Sequence, residues 1–353
     1  MYMNQLAPVI SRSFADLGDT LAALPFERNR ICVVGDSHTM PLYGKEVLGE
    51  AAKNFKAVEQ YTFPAGEEYK TLDSIRGLLR YLIEHHFDRH DCLIALGGGV
   101  TGDMTGFAAA VYLRGIPVIQ LPTTLLAQID SSIGGKTGVD FDGFKNMVGA
   151  FHMPALVYTN SSALKTLPKD QFVSGMGEVV KSALLGDAEL YEWLKHHADA
   201  VNVGEESALE FMIRRTAAIK VGIVSRDPEE HGERALLNFG HTIGHAVEKY
   251  LRFHMQHGCC VALGLIAASK ISAERGLITD DVLHDIEQTC SLYGLPLRAE
   301  GIDAQEVLRF TKSDKKMKNG QIRFVLLKHP GEAFYTDDVT DEEILDGIRY
   351  ITA

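Results

Sequence analysis

Four histidines fall within 17 positions of this chain, His241, His245, His254 and His257, the first two inside the run NFGHTIGH. Histidines four residues apart share one face of a helix. Glu178, in GEVVK, supplies a carboxylate upstream on another helical stretch. Two neutral imidazoles and a carboxylate, with one position left open, form a catalytic zinc-type site. Spacing leaves two sets open. One uses the pair His241 and His245; the other skips a ring and uses His257, leaving His245 for proton transfer or substrate contact. The metalloprotease signature HExxH is excluded, because Thr242 follows His241.

A second constellation handles phosphate. Gly97, Gly99 and Gly102 spell GxGxxG between a strand-like run at 91–96 and a helix. Glycines there give a tight turn and let the backbone approach a pyrophosphate at a helix N-terminus. No acidic residue follows about 20 positions later to hold a ribose, so the grip on a dinucleotide must come from elsewhere: Asp36, or Glu67 and Lys70 in AGEEYK. Cations stand in unusual company: Lys136 in SSIGGKTG, Lys145 beside Asn146, Lys181 three residues after Glu178, Lys220 ending an apolar helix, Arg234 four before Asn238, Arg114 in YLRG, and Lys315 and Lys316 in SDKK. Lysine meets phosphate as a point charge; arginine meets phosphate or carboxylate as a fork.

These groups need elements to hold them. Strand-like runs at 30–35, 91–96 and 117–121 alternate with helical ones at 71–85 and 105–113, which predicts a parallel α/β domain. The glycine-rich stretch 130–149 is long for a connector, and such loops tend to be functional. Beyond 165–168 the pattern turns helical, at about 171–185, 188–198, 205–222, 239–250, 257–276, 280–293 and 341–351. Only 321–328, after the Asn319–Gly320 turn, reads as a strand. The expected fold is therefore an N-terminal Rossmann-like parallel-sheet domain, 1–168, followed by a mostly α-helical domain, 169–353.

The chain has 353 residues, long for one core, with 35 Lys and Arg against 47 Asp and Glu, a net charge of −12. That balance excludes nonspecific nucleic-acid binding, which needs a basic footprint. No apolar run approaches the roughly 20 residues that span a membrane. The first residues, MYMNQLAPVISRSF, have no basic stretch followed by an apolar one, so no signal peptide is expected. The five cysteines form no CxxC pair and read as thiols of a reducing cytoplasm.

In order along the chain stand LGGGVTGDMTGF, RGIPVIQLPTTLLAQIDSSIGGKTGVD, KNMVGAFHMP, TLP, GEVVK, LNFGHTIGHAVE, HG and SDKK. With these motifs the chain resembles the 3-dehydroquinate synthase family, sugar-phosphate cyclases of the shikimate pathway, over roughly residues 30–330. The resemblance implies a carbon–oxygen lyase that uses NAD and zinc (or cobalt). Its substrate would be the phosphorylated sugar acid 3-deoxy-D-arabino-heptulosonate 7-phosphate, converted to 3-dehydroquinate and phosphate by transient oxidation, phosphate elimination, return of the hydride and ring closure. It implies a cytoplasmic homodimer. Its metal ligands would be Glu178, His241 and His257. NAD would lie along Glu67, Lys70, Gly99, Val100, Thr101, Gly102, Asp103, Thr123, Thr124, Lys136, Lys145, Ala163, Leu164, Lys165 and Thr166. Substrate-site residues would be Asp130, Lys136, Lys145, Asn146, Lys181, Lys220, Arg234, Asn238, His245 and one of Lys315 and Lys316, with Arg114 reaching the phosphate of the neighbouring subunit.

The chain departs from the family pattern in three places. The usual HGE is His257–Gly258–Cys259, which removes a carboxylate expected behind the ligand. The sequence DFDGFK replaces a proline-containing turn before Lys145, an exchange expected to be harmless. Ala163 stands where a bulkier residue is usual. Two other activities fit part of the pattern: a related sugar-phosphate cyclase, and a metal-dependent polyol dehydrogenase with net NADH production. Lys220, Arg234 and His245 together favour the dehydroquinate reading.

Overall fold

A computed structural model describes residues 7–312, 317–318 and 321–352. Lys315 and Lys316 lie outside the described residues. The chain divides into two compact units, Met1–Leu167 and Pro168–Ala353.

The first unit is built on a six-stranded, all-parallel sheet. Its strands are β1 (Val9–Ser11), β2 (Arg30–Asp36), β3 (Ala57–Phe63), β4 (Cys92–Gly97), β5 (Val118–Pro122) and β8 (Leu156–Asn160), in the order β1-β8-β5-β4-β2-β3. Alternate side chains of a strand face opposite ways, and here both ways are buried. Ile31, Val33, Ile94 and Leu96 pack under α1 (Leu17–Ala22) and α2 (Lys45–Ala52). Cys32, Val34, Leu93 and Val118 pack under α3 (Leu72–Glu84) and α4 (Gly99–Val111). Covered faces explain why these strands read as continuous apolar runs. The order of connection reverses between β2 and β4, and Asp36 and Gly97 end those two strands. Ligands of open α/β sheets bind at such a reversal.

The stretch read as a long connector is a hairpin. β6 (Lys136–Phe141) pairs antiparallel with β7 (Phe144–Phe151). Asp142 and Gly143 turn it with φ of 48° and 80°, the left-handed pair that a two-residue Asp-Gly turn provides. The DFDGFK stretch thus forms the hairpin's turn. Helix α4 begins at Gly99 rather than near 105, because the apolar periodicity that marks its middle is missing from its glycine-rich first turn. β1, β3 and β8, which the sequence reading did not single out, complete the sheet.

The second unit is mainly helical: α5 (Lys169–Gly186), α6 (Ala188–His196), α7 (Ala198–Asn202), α8 (Glu206–Arg226), α9 (His241–Tyr250), α10 (His257–Glu274), α11 (Asp280–Leu292), α12 (Ala304–Thr311) and α13 (Asp341–Thr352). α10 is apolar all round, with an unbroken buried run from Cys260 to Ser269, the signature of a central helix. It packs on α5, α9, α11 and α13. The expectation of one strand here needs correction. β9 (Met317–Lys318) pairs with β10 (Gln321–Ile322), and β11 (Phe324–His329) with β12 (Glu332–Thr336). β12 was missed because it is half exposed and mixed in polarity. No helix among the described residues is long and apolar enough to cross a membrane. All five cysteines are free, and Cys32, Cys92, Cys260 and Cys290 are buried.

Candidate active site

In the second unit, three helices meet closely enough to gather the histidines and the glutamate. A Cβ on Gly258 would lie 1.7 Å from the Ser174 carbonyl oxygen, and one on Gly177 would lie 2.1 Å from the Gly258 carbonyl oxygen. Only glycine at both places lets α5 and α10 touch backbone to backbone. Glu178 is the next residue on α5 and His257 the first of α10. Glu178 Oε1 lies 3.4 Å from Nε2 of His241 and 3.4 Å from Nε2 of His257. The far side of each ring is anchored. His241 Nδ1 is 3.2 Å from the Phe239 carbonyl oxygen, and His257 Nδ1 is 3.2 Å from Glu248 Oε2. An N–H at each Nδ1 donates to these acceptors, so both Nε2 atoms are directed at the Glu178 oxygen.

His245 joins the group. Its ring centroid lies 5.1 Å from that of His241 and 5.5 Å from that of His257. One nitrogen from each of the three rings lies within 4.8 Å of the others. Glu178 also pairs with Lys181, one helical turn on, and both are buried. Burial alone raises the Glu178 carboxyl, but the Lys181 ammonium and the His241 ring reverse this and hold it well below the usual carboxylate range. Burial pushes His241 down to about 3 against the pull of Glu178. The same burial acts on His257, yet hydrogen bonds to Glu178 and Glu248 lift it to about 9. Two nitrogens and one carboxylate oxygen thus converge around charge that a divalent cation would replace, and the donor set fits a zinc-type ion.

Glu248 was not singled out from the sequence. Its carboxylate stands behind His257 from α9, although position 259 is a cysteine. Glu230 was also not singled out. It has φ of 61° and accepts from Asn238 Nδ2 at 3.4 Å. Beside it, the Asp227 carboxylate accepts the backbone N–H groups of His231, Gly232 and Arg234 at 2.8–2.9 Å. Those bonds, led by the one from Arg234, lower Asp227 to about 2. They shape the loop into the turn that carries Arg234 and Asn238, immediately before α9. Arg234 is 2% exposed and Lys220, on α8, is 8% exposed. Two buried cations in a chain of net charge −12 are a local exception to the surface balance.

The first unit gathers a separate set. The GxGxxG glycines do not have left-handed φ; they allow close packing instead. A Cβ on Gly97 would lie 2.7 Å from Thr101 Cβ, and one on Gly102 would lie 2.8 Å from Gln120 Oε1. Gly98 caps α4 with no side-chain bond, and the first turn has no acidic residue. Its orphan N–H groups suit an anion. Thr123 N donates to the Gly97 carbonyl at 2.9 Å, and Thr124 packs on Gly98. Lys70 bonds Asp103 Oδ2 at 2.7 Å and Asn146 Oδ1 at 2.6 Å, and Lys145 Nζ lies 3.9 Å from Glu67 Oε1. Burial pulls Lys70 down, but Asp103 and Glu67 outweigh it, so its ammonium is held above the usual value. Asp130 falls in the turn 127–131 and Lys136 opens β6. Ala163, Leu164, Lys165 and Thr166 form the turn after β8, where Tyr43 bonds both the Ala163 carbonyl and Thr166. Asp36 is engaged by the backbone N–H groups of His38 and Thr39 and by the Thr101 hydroxyl.

Arg114 is not brought into this set. It lies past the far end of α4, just before β5, at the opposite end of the strands from Gly97.

Residues 60–174 match the model of the 3-dehydroquinate synthase N-terminal family and residues 175–317 that of its C-terminal family. The chain belongs to the 3-dehydroquinate synthase family. It is 40% identical over 337 residues to a 3-dehydroquinate synthase of Acetivibrio thermocellus, covering 95% of this chain and 93% of that protein. Among solved structures it is similar to 2-epi-5-epi-valiolone synthase of Streptomyces hygroscopicus subsp. jinggangensis with NAD+ and Zn2+ bound, at TM-score 0.88 and 28% identity. It is also similar to a 2-deoxy-scyllo-inosose synthase complexed with carbaglucose-6-phosphate, NAD+ and Co2+, at TM-score 0.87 and 27% identity. Each of the two comparisons covers 97% of this chain and 95% of the other. The family is one of carbon–oxygen lyases, and the parallel-sheet unit followed by a helical unit is its architecture.

Proposed function

We propose that the chain converts 3-deoxy-D-arabino-heptulosonate 7-phosphate to 3-dehydroquinate and phosphate, with NAD and a divalent cation, zinc or cobalt, as cofactors. The observation that carries this reading is the convergence of Glu178, His241 and His257, with both Nδ1 atoms anchored. In this reading 1–168 binds the dinucleotide and 169–353 the metal and most of the substrate. Glu178, His241 and His257 hold the metal. Bound, the metal supplies Lewis acidity at the substrate hydroxyls and NAD a reversible hydride acceptor, with no net oxidation.

The chain's own residues bind and orient. The first turn of α4, from Gly99 to Asp103, takes the pyrophosphate. Thr123, Thr124, Lys136, Lys145 and residues 163–166 line the cofactor, while Glu67 and Lys70 stand on its ribose side. Lys181, Lys220, Arg234 and Asn238 hold the substrate's phosphate and carboxylate, with Asp130, Asn146 and one of Lys315 and Lys316 completing its site. Their buried charge counts more than the net charge of the chain, because local field decides ligand sign. His245, beside both ligand rings, moves protons. The enzyme works as a cytoplasmic homodimer, with Arg114 serving the partner's site.

Phosphate release from this substrate tests the reading. The expected result is turnover abolished by a chelator, restored by zinc or cobalt, and accompanied by no net NADH. Glu178→Gln should lose stoichiometric metal. NADH rising in step with product would instead identify a polyol dehydrogenase. Turnover only of sugar phosphates without a carboxylate would identify a related cyclase.

A further inference from the structure

We propose that Lys70 is a positioning residue that fastens the β6–β7 hairpin to the start of α4 and sets the amide of Asn146, so that its NH2 end is the one presented to the ligand. The inference rests on the proposed reaction only for the use made of that amide.

The hairpin stands apart from the six-stranded sheet. A lone two-stranded hairpin is marginally stable in water, so what ties it down decides where its side chains sit. Near its base it packs on α4: Val139, Val148 and Ala150 join the core there, and Thr137 lies against Gly106. Its turn end is exposed, with Phe141, Phe144 and Met147 each at least 43% exposed. At that end the register breaks. Val139 pairs with Val148 and Phe141 with Phe144, leaving extra residues on β7. Asn146 lies in this bulge, in the left-handed region with φ of 54°. A bulge of this kind re-aims a side chain.

Lys70 holds the bulge from outside the hairpin. It is 4% exposed. Its ammonium bridges Asp103 Oδ2, on α4, and Asn146 Oδ1, on β7, at 2.7 and 2.6 Å. Its carbonyl accepts the Asp140 N–H at 2.9 Å, and Asp140 Oδ1 in turn accepts the Asn146 N–H at 2.8 Å. Lysine has only donors, so the amide atom facing it is the oxygen. That choice turns the NH2 of exposed Asn146 outward as a donor, suited to a hydroxyl, carboxylate or phosphate oxygen. A buried ammonium spanning two partners is a strut; a lysine used only to grip a cofactor needs neither.

Hydrogen exchange on the full chain, without substrate or added NAD+, reads the strut directly. In Lys70→Met the amides of Asp140 and Asn146 are expected to exchange at least tenfold faster, with β4 and β5 unchanged. Asn146→Leu, which removes the oxygen but keeps the ammonium, should give the same local loss. Asn146→Asp, which keeps an oxygen for Lys70, should keep slow exchange yet lower kcat at least tenfold. Lys70→Met should also lower kcat at saturating NAD+. Unchanged exchange at Asp140 and Asn146 in both Lys70→Met and Asn146→Leu overturns the strut, whatever happens to turnover. Full recovery of Lys70→Met by saturating NAD+ makes Lys70 a cofactor contact only and overturns the positioning role. Wild-type kinetics in Asn146→Asp overturn the assignment of its NH2. Absence of this reaction in the wild-type chain defeats the proposed function and leaves the exchange result standing.

Discussion

A carboxylate behind a ligand imidazole fixes which nitrogen bears the proton and makes the other a better donor to metal. Glu248 stands behind His257, a ligand in the proposed function, and its side chain is 6% exposed. Glu248 therefore places a carboxylate behind this ring whatever stands at 259, where the resemblance led one to expect one. Glu248→Ala is expected to weaken zinc binding by about 10- to 100-fold, read by competition with a chromophoric chelator, whereas Cys259→Ala should leave zinc affinity within about twofold. The opposite ranking would move the supporting role to position 259. At this scale residue type and spacing singled out Glu178 and the histidines, which the fold brings together, but left open which of the histidines would be ligands. The sequence was silent on Glu248, which reads as one more helical glutamate. Its partner lies on the next helix, and only the crossing of α9 and α10 brings the two together.

That crossing is a property of the elements, and glycines set it. A Cβ on Gly264 would meet the Gly240 carbonyl at 1.9 Å, and one on Gly244 would meet the Cys260 carbonyl at 2.8 Å. The α5–α10 contact through Gly177 and Gly258 is tighter still, and the obstructing atoms are backbone, which cannot rotate away. Gly258→Ala must push α10 from α5 and separate Glu178 from His257. We expect a loss of about 1–3 kcal/mol in stability, as for other overpacked cores, together with loss of stoichiometric zinc. Gly222→Ala, on α8, is the control: the nearest atom is the tip of a flexible arginine at 3.4 Å. It should be neutral or stabilising, since alanine is favoured over glycine in helices by about 1 kcal/mol. Thermal melts with metal analysis separate the two; full zinc in Gly258→Ala would refute the packing argument. Helices were legible here from periodicity, and central strands from apolar runs. The distances between helices were not legible, because a glycine beside a histidine looks the same whether it permits a turn or a contact. The β6–β7 hairpin escaped for a related reason: its glycines mark close approach of its two strands and a left-handed turn, and in sequence both resemble loop.

At the scale of the whole molecule the odd residue is Arg114. α4 starts at the carboxyl end of β4 and its 13 residues lead away from that turn by about 20 Å at 1.5 Å per residue, farther than an arginine side chain can return. Yet its backbone is held with care. Leu113, Arg114 and Gly115 have φ of 49°, 70° and 120°, and left-handed conformations outside glycine cost on the order of 1–3 kcal/mol each. The Ile116 N–H bonded to the Ala109 carbonyl at 3.0 Å, and the Tyr112 hydroxyl bonded to the Phe87 carbonyl at 2.8 Å, maintain the turn. The His152 ring meets the Ile116 carbonyl at 2.9 Å. Such a turn presenting an exposed cation makes sense if it serves a second copy of the chain. Mixing two inactive variants tests this. In Arg114→Ala the home site is intact and the donated arginine is missing; in His245→Ala the reverse holds. After dissociation and random reassociation of equal amounts, half the dimers are mixed and one of their two sites is complete, so activity should return to about a quarter of wild type for a symmetric pair that shares residues across its interface. If Arg114 acts within its own chain, every site in every mixed dimer lacks one group and activity stays at the level of the separate variants.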